Sequence, residues 1–449
     1  MLPALATRAP KARALLRCTE SVRSEGQNSD DTEYIPDSPT DAVDASISSG
    51  STSSTSAAHQ HHSSAKVKFS VSRTPSPATS ELELVCGNVF VHGGPLQRPP
   101  HEDEGFDEIV NTAGVPLVFK RHALEQFARL VGCGYPLLLR RTEGWGLDLV
   151  VSMLSAAFDE DYDDANDPFD PLLRHQPSPV LSKRALHKFY ILELDFAQLA
   201  RGPDLPSKLL RFVVAHCRAL LERYELGRDD PPPSKSASDL LELLALFLRY
   251  NSGRPSLFLI IKNFDSLIYN FADAPVVLNA FLKDLEFACY RQVFAGLLLT
   301  SNVDIEALYA PLDDCGNPIP SLPRRPYPVD LRSALDLTRH PAFQTAVGFT
   351  EQEVNDLDDA FKHLPSNGIS LVKMVKAACG SGRSYMFADP AWYDKRRPPI
   401  DPSGFAEAKV RPVPELDCSE GGEGVFPATL VWTTVEAKFG FPRRDTFSF

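Results

Sequence analysis

Four apolar runs of strand length, at 135–139, 189–194, 257–261 and 293–300, recur along the chain with stretches of helical periodicity between them. Runs that are apolar at nearly every position, rather than at alternate ones, belong to strands buried on both faces. The stretches between them, 147–158, 207–224, 237–249 and 275–290, carry the complementary pattern. In the second of these, Leu209, Leu210, Val213, Val214, Cys217, Leu220 and Leu221 mark one helical face. A parallel sheet covered by helices on both faces satisfies both patterns, so the expected class is α/β.

Around this alternation the chain divides by composition. Residues 1–80 are rich in Ser, Thr, Asp and Ala and poor in residues to bury, and read as a disordered arm. Its start carries Arg8, Lys11, Arg13 and Arg17 with no acid before Glu20 and reads as a basic unstructured start, with a mitochondrial presequence as the alternative. Residues 81–105 hold a strand-containing lead-in (Leu82, Leu84, Val89, Phe90, Val91). The α/β region occupies 106–395, and 396–449 reads as a proline-rich segment ending in a short β tail at 429–435. The acidic stretch 159–171 and the proline-rich 310–328 read as surface excursions.

The formal charge of −13 opposes a general nucleic-acid surface, which needs a basic field. Eight cysteines contain no C-x-x-C pair, so neither a zinc site nor a disulfide framework is expected, and the expected setting is reducing and intracellular, cytoplasmic or nuclear. No run reaches the ~18 apolar residues of a membrane-spanning helix.

The first run leads into Arg140-Arg141-Thr142-Glu143-Gly144-Trp145-Gly146-Leu147-Asp148 and then a helix carrying Val151, Met153, Leu154 and Phe158. A glycine-bearing turn between strand and helix can cradle phosphates with backbone N–H groups and a helix N-terminus. Here the sequence resembles the AAA-ATPase-like family of P-loop proteins, whose loop reads Arg-Pro-Arg-Arg-Phe-Gly-Lys-Ser. Arg141, Gly146 and Ser152-Met153-Leu154 match it. Leu147 stands where the family has its phosphate-binding lysine, and Asp148 where it has the magnesium-binding serine or threonine.

The resemblance extends over roughly 106–395. The segment 117–127 keeps Val118 and Lys120 of the family's Tyr-Val-Asp-Lys-Thr. The run 257–261 with Lys262-Asn263-Phe264-Asp265 resembles its Walker B element, Leu-Ile-Asp-Glu-Tyr-Asp, keeping the aromatic Phe264 and the last aspartate, Asp265. Gly348-Phe349-Thr350-Glu351-Gln352-Glu353-Val354 nearly repeats its Gly-Phe-Thr-Glu-Glu-Glu-Val, which reads as a helix start with a capping box. Tyr385, Phe387 and Trp392 follow its Gly-Tyr-x-Phe…Pro-Trp segment more loosely.

The resemblance implies a degenerate nucleotide site at Arg140, Arg141, Gly144, Gly146, Leu147 and Asp148, and a degenerate Walker B position at Lys262, Asn263 and Asp265. In a working site a carboxylate holds magnesium, a second orients water, and a lysine neutralises the phosphates. Lys262 and Asn263 fit neither carboxylate role, so a pseudo-ATPase acting as a binding or scaffold module is expected, with no catalytic residue, no metal and no cofactor. One alternative is an active NTPase with displaced groups, Arg140, Arg141 and Asp265 binding ATP and magnesium. Another is a nuclease association, for which Glu436-Ala437-Lys438 with Asp417 offers a half-motif. The expected partner is another protein, not a membrane or a nucleic acid.

Overall fold

The computed structural model describes residues 82–101, 104–161, 167–199, 201–226, 230–253, 256–271, 273–302, 334–379, 384–385 and 413–441. All lie in the unit spanning Thr74–Phe449. The arm over 1–80, the excursion at 310–328 and Phe387 and Trp392 fall outside the described residues.

The apolar runs form a five-stranded parallel sheet from β4 (Leu137–Arg140), β5 (Tyr190–Asp195), β6 (Leu257–Lys262), β7 (Gly296–Ser301) and β8 (Leu335–Asp336), in the order β5-β6-β7-β4-β8. Each strand divides its side chains between two cores with the period of two that a pleat imposes. Leu137, Leu139, Phe258, Ile260 and Leu298 enter one core, while Leu138, Leu257, Leu259, Ile261, Leu297 and Leu299 enter the other. The chain is therefore α/β with helices on both faces of the sheet.

The first core is covered by α1 (Phe106–Asn111), α2 (Arg121–Leu130), α3 (Leu147–Phe158), α4 (Phe169–His175) and α5 (Pro179–Arg184). The second is covered by α6 (Leu205–Arg223), α7 (Ala237–Ser252), α8 (Ser266–Asn270) and α9 (Ala274–Tyr290). The connection leaving β4 thus runs over one face, and those returning through β5 and β6 to β7 run over the other. Winding reverses beside β4, and in open α/β sheets the crevice at the carboxyl ends of the strands opens at such a point.

The lead-in does not stand apart. Its strands β1 (Leu82–Cys86) and β2 (Val89–His92) form a three-stranded antiparallel sheet with β3 (Pro116–Val118). Leu82, Phe90 and Leu117 face the first core. Val89, Val91 and Val118 face a third, built by α10 (Glu351–Ala360), α11 (Leu371–Ala378) and α12 (Ala428–Phe439). The small sheet is a wall shared by two cores.

The expected β tail at 429–435 is instead α12, preceded by a two-residue strand β10 (Val425–Phe426) that pairs with β9 (Phe349–Thr350). Thr429, Val431, Thr433, Thr434 and Val435 favour a strand by β-branching. Tertiary packing overrides that preference, because Val431, Val435 and Phe439 are spaced by four and are all buried in the third core. Gly440, with φ at +72°, stops the helix in the left-handed conformation glycine adopts freely.

Thr350 opens α10 as the sequence implies: its hydroxyl accepts from Glu353 N at 3.1 Å, and its own N–H donates to Glu353 Oε2 at 2.8 Å. The same carboxylate receives Lys120 Nζ at 2.7 and 2.6 Å, with both side chains less than a tenth exposed. Removing one member of a buried pair strands the other charge, so Glu353→Ala is expected to cost about 3–5 kcal/mol in urea unfolding. The double change Lys120→Met with Glu353→Leu is expected to recover much of that loss. Equal losses in the single and double variants would show that the cost is not that of a stranded Lys120 charge.

Candidate functional site

The turn after β4 and the end of β6 lie on the same carboxyl edge, with β7 between the two strands. Gly144 and Gly146 both have positive φ, +86° and +83°, which lets the backbone leave β4 and enter α3 sharply. Gly146 is the N-cap of α3. Leu147, the first residue of that helix, is 5% exposed and packs into the first core. Its side chain is a core group.

The two arginines turn toward the β8 edge. Arg140 donates to Asp336 at 2.6 Å. Arg141 is buried and donates to three backbone carbonyls, those of Arg140 at 2.8 Å, Thr338 at 2.8 Å and Phe343 at 3.2 Å. Burial brings its guanidinium down to about 9, against the opposing pull of Asp336, which leaves it charged at neutral pH. These donors fasten the segment after β8 to the end of β4.

On the α3 side of the sheet the strand ends gather acids. Glu193 and Asp195 alternate on β5 and share one face of the pleat. Glu193 accepts from Ser155 on α3 and pairs with Lys262 Nζ at 3.4 Å. Asp195 accepts from Asn263 Nδ2 at 2.9 Å, and Asn263 Oδ1 accepts from Asn302 Nδ2 at 2.8 Å. Asn263 has φ of +52°, a conformation that asparagine tolerates better than most residues.

Asp148 is exposed at the first turn of α3 and joins this cluster only through longer-range charge. Partial loss of water beside the strand ends raises its carboxyl above the ordinary value; Lys262 pulls it down, while Asp195 and Glu193 push it up. Lys262 thus has one carboxylate in contact, Glu193, and feels Asp148 at longer range. Asp265 stands apart at the β6–β7 end: it is 5% exposed, raised by burial, and receives hydrogen bonds from Ser301 and the Asn302 backbone. Its Oδ1 has no hydrogen-bond partner among the described residues.

The structure therefore brings Lys262 to Glu193 and links Asn263 to β5 and β7, with Asp148 near enough to feel the Lys262 charge, while Arg140 and Arg141 serve the opposite side of β4. Glu193, Asp195 and Asn302 were not among the residues expected at the site. The alternation Glu193-Leu194-Asp195 at the end of an apolar run was the signal for the first two. Among the described residues no group of three or more His, Cys, Asp or Glu is arranged to hold a metal ion. In the half-motif Glu436-Ala437-Lys438, Lys438 pairs with Asp358 of α10, and the Asp417 backbone donates to Gln126 of α2. Residues two apart on a helix do not face one another, so Glu436 and Lys438 do not converge.

A pocket of about 280 Å³ lies elsewhere, at the start of α2, lined by Lys120, His122, Thr345, Glu353 and Glu420 among others. Lys120 is paired there with Glu353, and His122 Nδ1 lies 3.7 Å from Glu420. No helix among the described residues is long and apolar enough to cross a membrane. Comparison of the chain with known protein families, with curated proteins and with solved structures returned no match.

Because Lys262 holds the Asp148 carboxyl down, Lys262→Gln is expected to move the Asp148 midpoint further up in a carbon-13 carboxyl NMR titration. A carboxyl whose folded pKa exceeds its unfolded value loses stability as pH rises from the unfolded value through the folded one, and the variant should lose more over that window. An Asp148 midpoint that stays in place or falls would break the proposed coupling.

Proposed function

We propose that this chain is a nucleotide-hydrolase-like α/β module of the AAA-ATPase-like, P-loop type that has lost hydrolysis and acts as a binding or scaffold module for another protein. The observation that carries this reading is the Lys262 cluster. At the position where the resemblance calls for a metal-binding carboxylate there is a cation, and its charge is balanced by Glu193 and by Asp148. A divalent ion brought there meets a fixed positive charge at short range, and phosphate oxygens approaching the turn meet Asp148.

Two further facts support it. Leu147 is packed into the core where a phosphate-binding lysine would reach outward, and the Asn263 side chain is engaged by Asp195 and Asn302. Each missing group in such a site removes orders of magnitude of rate, and here several are missing together. The winding reversal beside β4 supports the choice of this edge as the ancestral ligand site.

A second reading keeps the site active with displaced groups, and the unpartnered Oδ1 of buried Asp265 favours it, since such an oxygen is suited to a cation or a proton. The engagement of Arg141 with three carbonyls opposes it.

The purified natural chain is expected to show no magnesium-dependent ATP or GTP hydrolysis above background, and no heat of ATP binding with or without magnesium in calorimetric titration. Hydrolysis that Asp265→Ala abolishes would overturn this reading in favour of the displaced site.

A further inference from the structure

The turn between β4 and α3 is in contact with a segment from far along the chain. The Gly144 carbonyl accepts two hydrogen bonds from Thr429, one from its backbone N at 2.9 Å and one from Oγ1 at 2.5 Å. Thr429 is the second residue of α12, whose N-cap, Pro427, supplies no side-chain hydrogen bond. The first N–H groups of a helix lack partners within it, so the Gly144 carbonyl serves as the acceptor this helix end needs. Close approach depends on both glycines. A Cβ at 144 would collide with Thr429 Oγ1, and one at 146 would lie 3.1 Å from the Ala428 Cβ.

Trp145, between them, is buried and meets Tyr385 edge-on with ring centroids 5.4 Å apart. Tyr385 in turn exchanges backbone hydrogen bonds with Val425, at 2.8 and 2.9 Å. Gly144, Trp145 and Gly146 are therefore lined by the 425–429 segment and by Tyr385, the residue paired to it.

We propose that this glycine turn is a polypeptide-docking seat, occupied in cis by residues 425–429, and that this occupation closes the crevice beside β4 to a nucleotide. The donor and acceptor sense carries the argument. A turn that captures an anion presents N–H donors to it. This one presents a carbonyl, and its occupant supplies two donors. Asp148 in the first turn of α3 adds a negative charge that disfavours an anion and is indifferent to a neutral peptide segment. The glycines common to phosphate-binding turns serve here for the approach of Thr429 and Ala428. The proposal rests on reading the turn as a silenced nucleotide loop and adds what holds it.

The test uses the full chain. Thr429→Val keeps the shape and removes the Oγ1 bond. In hydrogen-exchange mass spectrometry, the amides of 144–150 and of 425–439 are expected to exchange faster together, by about fivefold, the effect of losing one such bond. The strands at 257–262 and 296–301 should be unchanged, which shows that the fold persists. Faster exchange at 425–439 with none at 144–150 would overturn the seat.

Closure is tested with a fluorescent ATP analogue and magnesium on the variant carrying Leu147→Lys, Asp148→Ser, Lys262→Asp and Asn263→Glu, with and without Thr429→Val. Binding that appears or tightens by about tenfold only when Thr429→Val is added supports closure. Equal binding by both, or binding by neither, overturns closure while the silenced-site reading stands on the natural chain's inactivity. Hydrolysis by the natural chain defeats that reading separately, with the seat still judged by exchange.

Discussion

A single buried carboxylate holds the parts of this molecule in register. Glu353 caps its own helix through Thr350 and neutralises Lys120 from 233 residues away. Lys120 is the N-cap of α2, and its ammonium also lies 5.4 Å from the centre of the Phe349 ring. Two charges withdrawn from water require each other's field and geometry, because either alone is unfavourable by several kcal/mol. The start of α10 is thereby fixed against the start of α2. From that anchor the sequence of contacts is continuous: Phe349 and Thr350 form β9, β9 pairs with β10, and β10 leads into the helix whose second residue reaches Gly144.

The carboxyl edge of the parallel sheet shows how polar groups at strand ends can satisfy one another. Strand ends on this edge expose side chains that the pleat cannot bury, so polar residues collect there whatever their role. Here they are satisfied mainly by one another. Ser155, Glu193 and Lys262 form one chain of contacts, and Asp195, Asn263 and Asn302 another. A network closed in this way rigidifies the edge and leaves little unmet demand for an added ion. Asp265, with one oxygen unmatched, is the point where demand remains.

The parallel sheet and its helices were legible because burial on both faces leaves a dense pattern. The stretch 147–158 coincides with α3, since its start is marked by glycine and its interior is apolar throughout. Strand starts were less so: Val293, Phe294 and Ala295 are buried but precede the ladder, which begins at Gly296. Composition misled at 429–435, where β-branched residues form a helix because the spacing of Val431, Val435 and Phe439 meets a core that local sequence does not reveal. Leu147, first in an apolar helix, was placed by the periodicity that puts it in the core. The Lys120–Glu353 and Gly144–Thr429 contacts could not be placed in this way, because no local pattern encodes a pairing over 233 or 285 residues.

Those separations bear on how the chain is made. During synthesis from the N-terminal side at roughly 5–20 residues per second, β3, β4 and α3 emerge well before α10 and α12 exist. For roughly tens of seconds the nascent chain carries a lysine destined for burial without its counter-charge, and a turn whose covering segment has not left the ribosome. The central strands β6 and β7 can join β4 in that interval, but the wall formed by β1, β2 and β3 has only one of its two cores. The apolar face made by Val89, Val91 and Val118 has no covering helices until 351–439 has been made, so this wall is completed last.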